Sequence, residues 1–288
     1  MESKEALRIF NNATAIVTGG ASGIGRELAF ELARRGCAVV LADMQIEMAQ
    51  DAAAQIKKSG GKAKAVEVDV TDFPAVERLV RETVEESGRL DYIFNNAGIG
   101  LGGRADLYGI EDWNKIIDIN LRGVVNGVQA SYKIMIEQGF GHIVNTASMA
   151  GFIPYPGNVA YATTKHAVVG LSQSLRAEAA MFGVRVSALC PGVVRTPILA
   201  GGKYGKILVN ISPEKLRERQ EKLRPMEPDV LAKKALNAIA KNKAIIIEPL
   251  QWKFIWWLNR LSPSLVMALF QKRFERIQKE IQQEFHLL

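Results

Sequence analysis

The stretch ATAIVTGGASGIG, residues 13–25, joins an apolar run to a glycine-rich turn near the start of the chain. Ala13–Thr18 has the composition of a buried β-strand, and the pattern over Gly23–Arg35 predicts a helix. Glycines in the turn let the backbone approach a pyrophosphate, while the helix N-terminus offers N–H groups and the positive end of its dipole. The glycine spacing, G-x-x-x-G-x-G, differs from the dinucleotide fingerprint G-x-G-x-x-G. The strand–turn–helix context nevertheless predicts a nucleotide-binding turn.

The same alternation of short apolar runs and helical patterns continues along the chain. Strands are predicted at Ala13–Thr18, Ala38–Ala42, Lys64–Val68, Tyr92–Asn95, His142–Thr146, Arg185–Leu189 and Ala244–Ile247. Helices are predicted at Gly23–Arg35, Glu47–Ser59, Phe73–Ser87, Asp112–Glu137, 158–181, Leu216–Lys222 and Pro228–Lys241. Strands separated by helices imply parallel βαβ units, and their continuous apolar runs imply helices on both faces of the sheet. We therefore expect an α/β fold, a single doubly wound, Rossmann-like domain over residues 1–249, followed by a helical extension over 250–288.

Composition excludes several classes of protein. The 288 residues carry 37 basic and 30 acidic side chains, and this excess of +7 is spread along the chain rather than gathered in basic blocks with aromatic neighbours. Nucleic-acid binding is therefore not expected. Cys37 and Cys190 are far apart and do not suggest a disulfide framework, which favours a reducing cytoplasm. The first residues lack a signal-peptide pattern, and no segment reaches the roughly 18 uninterrupted apolar residues of a membrane span.

A tyrosine, a lysine and a serine suggest proton chemistry. Tyr161 and Lys165 are four residues apart on a predicted helix, so both side chains project from one face. We expect the Lys165 ammonium to lower the pKa of the Tyr161 phenol from its usual value of about 10. Ser148, at the end of a predicted strand, can donate a hydrogen bond to a carbonyl or alkoxide oxygen. By itself, a tyrosine–lysine pair with this spacing is more often an ordinary pair on a helix surface.

The residue after the second predicted strand bears on cofactor choice. Asp43 can accept hydrogen bonds from adenosine ribose hydroxyls and would repel a 2′-phosphate. The alternative is that Asp43 only forms the turn. Neither Ser22 nor Met44 supplies the basic side chain that a phosphorylated ribose requires, so NAD is favoured over NADP. His142, His166 and His286 have no metal-ligand spacing with the cysteines, and we expect no metal site.

From about residue 11 to residue 249 the chain resembles the short-chain dehydrogenase/reductases. The matching motifs, in the family's order, are the turn Thr18–Gly25, Asp69-Val70, Asn95-Asn96-Ala97-Gly98, Asn120, Ser148, Tyr161 with Lys165, and Pro191–Thr196. Each motif is modestly specific alone, and their order together makes the resemblance strong.

The resemblance implies a role for each matching residue. Tyr161 would be the acid/base, Lys165 would bind the nicotinamide ribose, and Ser148 would polarise the reacting oxygen, with Asn120 holding a water that relays protons. The cofactor would be held by Gly19, Ser22, Gly23, Ile24, Gly25, Asp43, Asp69, Val70, Asn96, Ala97, Gly98, Tyr161, Lys165, Pro191, Val194 and Thr196. A homodimer or homotetramer, built through the helices around 112–137 and 158–181, is also implied.

Residues 197–227 are the expected substrate lid. The segment places apolar side chains between Gly201-Gly202 and Pro213, namely Ile198, Leu199, Ile207, Leu208, Val209 and Ile211. Together with Phe152 and Tyr155 near Ser148, these side chains predict a hydrophobic secondary alcohol or ketone as substrate. Lys203 and Lys206 leave open an acidic group on that substrate.

The extension over 250–288 contains three of the four tryptophans and has two interpretations. Its helices could pack on the core or across a subunit interface. Alternatively, residues 250–270 could form an interfacial anchor on a membrane, with Arg260, Lys272 and Arg273 on anionic lipid. The protein is otherwise expected to be cytoplasmic.

Two functions other than catalysis fit the same fold. One is a non-catalytic sensor that binds the dinucleotide and reports redox state to a partner; the other is a scaffold whose extension matters more than its site. If the chain were a non-catalytic sensor, some of the catalytic residues should be replaced, but Asn120, Ser148, Tyr161 and Lys165 are all present. Enzymatic oxidoreduction is therefore the favoured hypothesis.

Overall fold

The computed structural model describes residues 6–208 and 213–285 of the chain. The strands are β1 (Thr14–Thr18), β2 (Ala38–Asp43), β3 (Lys62–Glu67), β4 (Tyr92–Asn95), β5 (Gly100–Gly102), β6 (Gly141–Thr146), β7 (Val184–Pro191), β8 (Gly205–Ile207) and β9 (Ile245–Glu248). The α-helices are α1 (Gly23–Arg34), α2 (Ile46–Lys58), α3 (Phe73–Ser87), α4 (Ile110–Ile117), α5 (Gly123–Gln138), α6 (Val159–Ala179), α7 (Pro213–Glu221), α8 (Pro228–Ala240), α9 (Gln251–Leu261) and α10 (Pro263–Phe285).

In the described part of the chain, seven strands form one parallel sheet in the order β3-β2-β1-β4-β6-β7-β9. The order reverses between β1 and β4, where consecutive crossovers leave the sheet in opposite directions. A crevice forms at such a switch point, at the carboxyl ends of the strands. The predicted α/β fold with a doubly wound sheet is confirmed, and the predicted strand bounds agree with the structure within two residues.

Helices cover both faces of this sheet. Helices α1, α2 and α8 pack on one face around Leu28, Leu32, Ile56, Leu231 and Leu236, which are buried with inward side chains of β1 and β2. Helices α3, α5 and α6 pack on the other face around Val76, Leu79, Val128, Met135 and Leu175. This two-sided burial explains why the strands read as continuous apolar runs in the sequence.

The helix predicted over Asp112–Glu137 is interrupted. A π-helical turn, Asp118–Arg122, separates α4 from α5, and it places Asn120 in the interior with no exposed surface. The Asn120 side chain bonds the backbone of Ile99 in both directions: its Oδ1 accepts from N–H at 2.8 Å and its Nδ2 donates to C=O at 2.9 Å. Single π-turns inside α-helices occur frequently at functional sites.

The lid contains a strand that the sequence did not predict. Strand β8 pairs in parallel with β5 to form a separate two-stranded sheet, with Gly100 opposite Gly205 and Gly102 opposite Ile207. The lid helix predicted at Leu216–Lys222 is α7, which begins at Pro213. Val209 and Ile211, which were predicted to contribute to the lid, lie outside the described residues, as does His286.

The extension packs on the core through one side of each helix. Trp252, Ile255 and Trp256 of α9 and Phe270 of α10 pack against buried residues next to β7 and α6. Val266, with 1% exposure, is also buried. These contacts agree with the first interpretation of the extension, in which its helices pack on the core. No helix in residues 6–208 or 213–285 is long and apolar enough to cross a membrane.

Candidate active site

A cavity of about 830 Å³ opens at the carboxyl ends of β1, β2, β4, β6 and β7. Its volume is within the range of about 300–1,000 Å³ found for small-molecule and cofactor sites. Of the residues predicted to form the site, the wall includes Gly19, Ser22, Gly23, Ile24, Asp43, Asp69, Val70, Asn96, Ala97, Gly98, Ser148, Tyr161, Lys165, Pro191, Val194 and Thr196. The two remaining predicted residues, Gly25 and Asn120, lie behind the wall.

The glycine turn between β1 and α1 leaves no room for side chains. Gly19 has φ +65°, and a Cβ there would lie 2.9 Å from the Cα of Ala97. A Cβ on Gly25 would collide with the carbonyl oxygen of Gly19. The first N–H groups of α1, which lack partners within the helix, begin at Gly23 on the cavity wall. This cradle of bare backbone at a helix N-terminus suits a pyrophosphate.

One end of the cavity is built on Asp43, at the carboxyl end of β2. Its carboxylate is buried and accepts backbone hydrogen bonds from Ala21 at 3.0 Å and from Gln45 at 2.9 Å. Asp43 therefore shapes the glycine turn and also places a negative charge in the cavity wall. Gln45 lines the same wall with a buried side-chain oxygen that has no hydrogen-bond partner among the described residues. An unpaired acceptor in this position fits a ligand with polar hydrogens.

Ser148, Tyr161 and Lys165 converge on the other end of the cavity. Ser148 caps a short 3₁₀ turn, where its hydroxyl oxygen accepts from the N–H of Ala150 at 3.1 Å, and its side chain is close enough to the Tyr161 phenol to influence the pKa of that group. Lys165, one turn further along α6, is 3% exposed and donates through Nζ to the carbonyl oxygen of Thr146 at 2.8 Å. Its Nζ is 5.5 Å from the centre of the Tyr161 ring. The predicted grouping of serine, phenol and ammonium is therefore present.

The expected lowering of the Tyr161 pKa by Lys165 is wrong. Burial raises the pKa of Tyr161 to about 12, and the nearby Ser148 side chain opposes this rise only in part. Burial also lowers the pKa of Lys165 to about 8. Removing both groups from water disfavours their charged forms, and this outweighs the attraction expected from their spacing along the helix.

Asn120 does not reach the cavity, because both ends of its side-chain amide are engaged by Ile99. It does lie close to Lys165 on the far side of Gly98. A Cβ built on Gly98 would lie 3.2 Å from Asn120 Oδ1 and 3.7 Å from Lys165 Nζ. Asn120 thus fixes the backbone of the cavity floor, and its predicted role in holding a water stays a prediction.

The lid closes the cavity from one side. Ile198, Leu199 and Tyr204 line it, as predicted for an apolar flap. Lys206 instead forms an ion pair with Asp112 of α4 at 3.0 Å. Its ammonium therefore ties the lid to α4 and is not part of the cavity wall. Lys203 does line the cavity, with Nζ 3.4 Å from Met48 Sδ on α2, near the end built on Asp43.

The substrate side of the cavity differs in part from the sequence-based prediction. Tyr155 lines it, whereas the Phe152 ring packs against Trp256 with ring centres 5.9 Å apart and does not line it. Asn158 and Trp252 are among the wall residues that were not predicted, and a Cβ on Gly192 would collide with the Trp252 indole. No local pattern identifies Trp252, because its place in the cavity depends on how α9 folds back onto β7.

The three histidines do not contribute to the cavity wall where they are described. His142 is buried on β6 and hydrogen-bonded to Ser187 at 2.8 Å, and burial lowers its pKa to about 3. His166 is exposed on α6, where its Nδ1 lies 2.9 Å from the carbonyl oxygen of Ala162.

Comparison with known proteins places the chain among oxidoreductases. Residues 13–203 match the family model described as short chain dehydrogenase. The probable oxidoreductase EphD of Mycobacterium tuberculosis is 38% identical over 271 residues, which are 92% of this chain and 45% of EphD. The chain thus spans about half the length of this curated relative.

Solved structures agree with that match. A short-chain dehydrogenase/reductase from Burkholderia phymatum in complex with NAD has a TM-score of 0.81 and 29% identity, covering 90% of this chain and 96% of that chain. A Beutenbergia cavernae structure with NADP bound at low occupancy has a TM-score of 0.72 and 29% identity, covering 83% of this chain and 97% of that chain.

The burial of Lys165 predicts a pH-dependent term in stability. Its pKa is about 8 when folded and near 10.5 when unfolded, so between these values the unfolded chain binds a proton that the folded protein does not. The free energy of unfolding of the wild type should therefore rise, relative to Lys165→Met, by roughly 3 kcal/mol between pH 8 and 10.5. Urea unfolding of both proteins across this range measures the difference.

The exposed lysine Lys57 provides the matched control, since Lys57→Met makes the same substitution where the side chain is solvated. That variant should follow the wild type at every pH. A Lys165→Met curve that also runs parallel to the wild type would contradict the proposed cost of burying the ammonium.

Proposed function

The chain belongs to the short-chain dehydrogenase family, and on that premise we propose that it is an NAD-dependent oxidoreductase that interconverts a hydrophobic secondary alcohol and its ketone. One observation carries the proposal. The Tyr161 phenol lies next to Ser148 and beside the buried side chain of Lys165, in the wall of the same cavity as the glycine cradle. A proton-transfer group and a dinucleotide cradle thus share one space.

The residues present fit a nicotinamide cofactor. The cradle at Gly19 and Gly25 would receive the pyrophosphate, Asp43 the adenosine ribose, and Asp69 with Val70 the adenine. Pro191, Val194 and Thr196 would hold the carboxamide at the opposite end, beside Tyr161 and Lys165. When bound, the cofactor supplies the hydride acceptor or donor, and the chain supplies orientation and proton transfer.

Tyr161 moves the proton in this mechanism. In oxidation the Tyr161 phenolate would take the proton from the substrate hydroxyl, and a bound cofactor would supply the acceptor for the hydride of the carbon that bears this hydroxyl, so that the alcohol becomes a ketone. In reduction the Tyr161 phenol returns the proton to the substrate oxygen. Ser148 is placed to donate a hydrogen bond to that oxygen and to stabilise the charge it gains.

The ionisation state of Tyr161 favours one direction in the cofactor-free protein. With a pKa of about 12, Tyr161 is protonated at neutral pH, which is the form that reduction requires. Oxidation requires the phenolate, so a positive charge must come close enough to lower the pKa of Tyr161. Lys165 contributes part of that charge below its own pKa of about 8 and is positioned to bond the nicotinamide ribose.

Charge at the adenosine end supports NAD over NADP. The Asp43 carboxylate lies where a 2′-phosphate would approach, and two like charges about 4 Å apart repel by about 4 kcal/mol near a protein surface. Lys203 of the lid is the competing feature, because its ammonium also reaches this end of the cavity. Asp43 is held by two backbone N–H groups, whereas the exposed Lys203 ammonium contacts the Met48 thioether and the Tyr204 ring, so the more firmly fixed charge is the negative one.

The substrate side of the cavity supports a hydrophobic substrate. Met149, Ile153, Ile198, Leu199 and Trp252 give it a mainly apolar wall, and Lys206 is turned away into its ion pair. Such a wall offers a polyol few partners for its hydroxyl groups, and burying them unpaired is costly.

We also propose a homodimer or homotetramer through the helices over 112–137 and 158–181. Support comes from exposed apolar side chains at the start of α6 and in the 3₁₀ turn that follows it, where Val159 is 40% and Met181 is 77% exposed.

A substrate panel tests the proposed function. Secondary alcohols with rings or long chains should reduce NAD, followed at the nicotinamide absorbance band, with a kcat/KM at least about tenfold above that for small polyols. Turnover of polyols alone would contradict the hydrophobic assignment. Binding of NAD without turnover of any alcohol or ketone in the panel would instead favour the non-catalytic sensor.

Replacing Tyr161 with Phe should abolish turnover without weakening cofactor binding. The substitution removes only the hydroxyl, so kcat should fall by about a thousandfold or more, while the dissociation constant for NADH changes little. Wild-type oxidation should rise with pH as the phenol ionises, and this rise should vanish in the variant. Near-normal turnover in Tyr161→Phe would rule out this mechanism.

The cofactor preference can be tested with two variants. Asp43→Asn should reduce the ratio of NADH to NADPH affinity by about tenfold or more, because it removes the charge that repels the 2′-phosphate. Lys203→Gln should leave that ratio in favour of NADH. If the wild type instead binds NADPH more tightly and Lys203→Gln reverses this, the assignment to NAD is wrong.

A further inference from the structure

Helices α9 and α10 expose a second apolar surface opposite the one that packs on the core. On α9 it is a stripe at Leu250, Phe254, Trp257 and Leu261, whose spacing of three and four residues places them on one side of the helix. On α10 it continues through Leu265 and Leu269. We call these six side chains the outer face.

The outer face is unusually exposed for residues of this kind. Phe254 is 72%, Trp257 55% and Leu261 81% exposed, and Leu250, Leu265 and Leu269 are each about half exposed or more. Single exposed apolar residues are common on protein surfaces, but a continuous patch that includes aromatic side chains marks an interaction site.

The inner side of the same two helices is already occupied. Trp256 packs on Phe152, Asn259 donates to the carbonyl oxygen of Phe152 at 2.7 Å, and Val266 is buried. A Cβ on Gly157 would lie 3.3 Å from the Phe274 ring. The hairpin is therefore held on the core by one side, and the outer face contributes nothing to that packing. A helix that is apolar on both sides is expected to be covered on both.

The charges around the outer face all have one sign. Between Glu248 and Glu275 the chain contains Lys253, Arg260, Lys272 and Arg273 and no acidic residue, although Arg273 lies near Tyr155 of the cavity wall rather than on the outer face. None of the four forms an ion pair with an acidic side chain in the described part of the chain. Arg260 instead lies over the Trp256 ring, 5.1 Å from its centre.

We propose that the outer face docks on the surface of an anionic lipid bilayer. Its apolar side chains would enter the boundary between headgroups and acyl chains, with Trp257 at headgroup level, and the basic side chains would meet lipid phosphate. A second copy of the chain fits less well. A two-fold contact places the same patch on both partners, so the basic side chains of both copies would be gathered in one interface that has no acidic residue from the patch to balance them.

The position of the surface gives the docking a consequence for the site. Trp252 lines the cavity from the inner side of α9, so a bilayer on the outer face would lie about one helix diameter, roughly 10 Å, from the cavity wall. Lipid binding itself does not depend on the proposed oxidoreductase function.

Flotation of the full, cofactor-free chain with vesicles tests the docking. The wild type should float with vesicles of phosphatidylcholine and phosphatidylglycerol and bind pure phosphatidylcholine about tenfold less. The triple variant Phe254→Gln, Trp257→Gln and Leu261→Gln should lose binding to the mixed vesicles by about tenfold or more. The double variant Arg260→Gln and Lys272→Gln should lose the preference for phosphatidylglycerol.

The matched control is Ile9→Gln with Leu107→Gln, which removes apolar side chains that are likewise about half exposed, from elsewhere on the surface. It should float like the wild type, and turnover of a water-soluble substrate should be unchanged in the triple variant. A wild type that does not float with the mixed vesicles, or a triple variant that floats as well as the wild type, overturns the proposal. A triple variant that loses an oligomer in light scattering, without any vesicle binding by the wild type, would assign the outer face to a second copy.

Discussion

The hydrogen bond from the buried ammonium of Lys165 to the carbonyl oxygen of Thr146 fixes the geometry of the proton-transfer site. An ammonium removed from water is costly unless it has partners, so this bond ties α6 to the carboxyl end of β6. Tyr161, one helical turn earlier, is thereby held against Ser148, which follows the same strand. The parallel sheet brings the glycine turn to the same edge, since all of its strands end there. The site is thus a consequence of strand direction combined with one buried charge.

The seven-stranded sheet was predicted well from the sequence, whereas the π-turn between α4 and α5 and the small second sheet were not, and the difference has a physical reason. Strands such as Tyr92–Asn95 and helices such as Phe73–Ser87 are marked by local patterns of burial, and the structure reproduces their bounds. The π-turn at Asn120 depends on hydrogen bonds to Ile99, twenty-one residues away, and β8 depends on β5, about a hundred residues away. The three-residue segments β5 and β8 have no strand signal of their own in the sequence. Each becomes a strand only when its partner is placed beside it.

The site shows the same division between what spacing reveals and what it hides. Spacing along one helix was enough to pair Tyr161 with Lys165, but it gave the wrong direction for the pKa of the phenol. A pKa depends on the total solvent lost by the group, and burial here outweighs the neighbouring charge. Likewise, Phe152 is close to Ser148 in the sequence but packs on Trp256, while Trp252, which is 56 residues beyond the last motif residue Thr196, lines the cavity.

The two ends of the cavity therefore have different origins. The cofactor end is made by strand ends and the first turn of α1, all within residues 13–203 that match the family model. Much of the substrate end is made by two additions to that framework: the lid, fixed through β5 and the Lys206–Asp112 pair, and the hairpin of α9 and α10, which covers the segment around Gly157. Changes in these additions can alter the apolar wall without disturbing the sheet. Substrate choice can consequently vary while the geometry of Tyr161 and Lys165 stays fixed, because no strand of the sheet has to move.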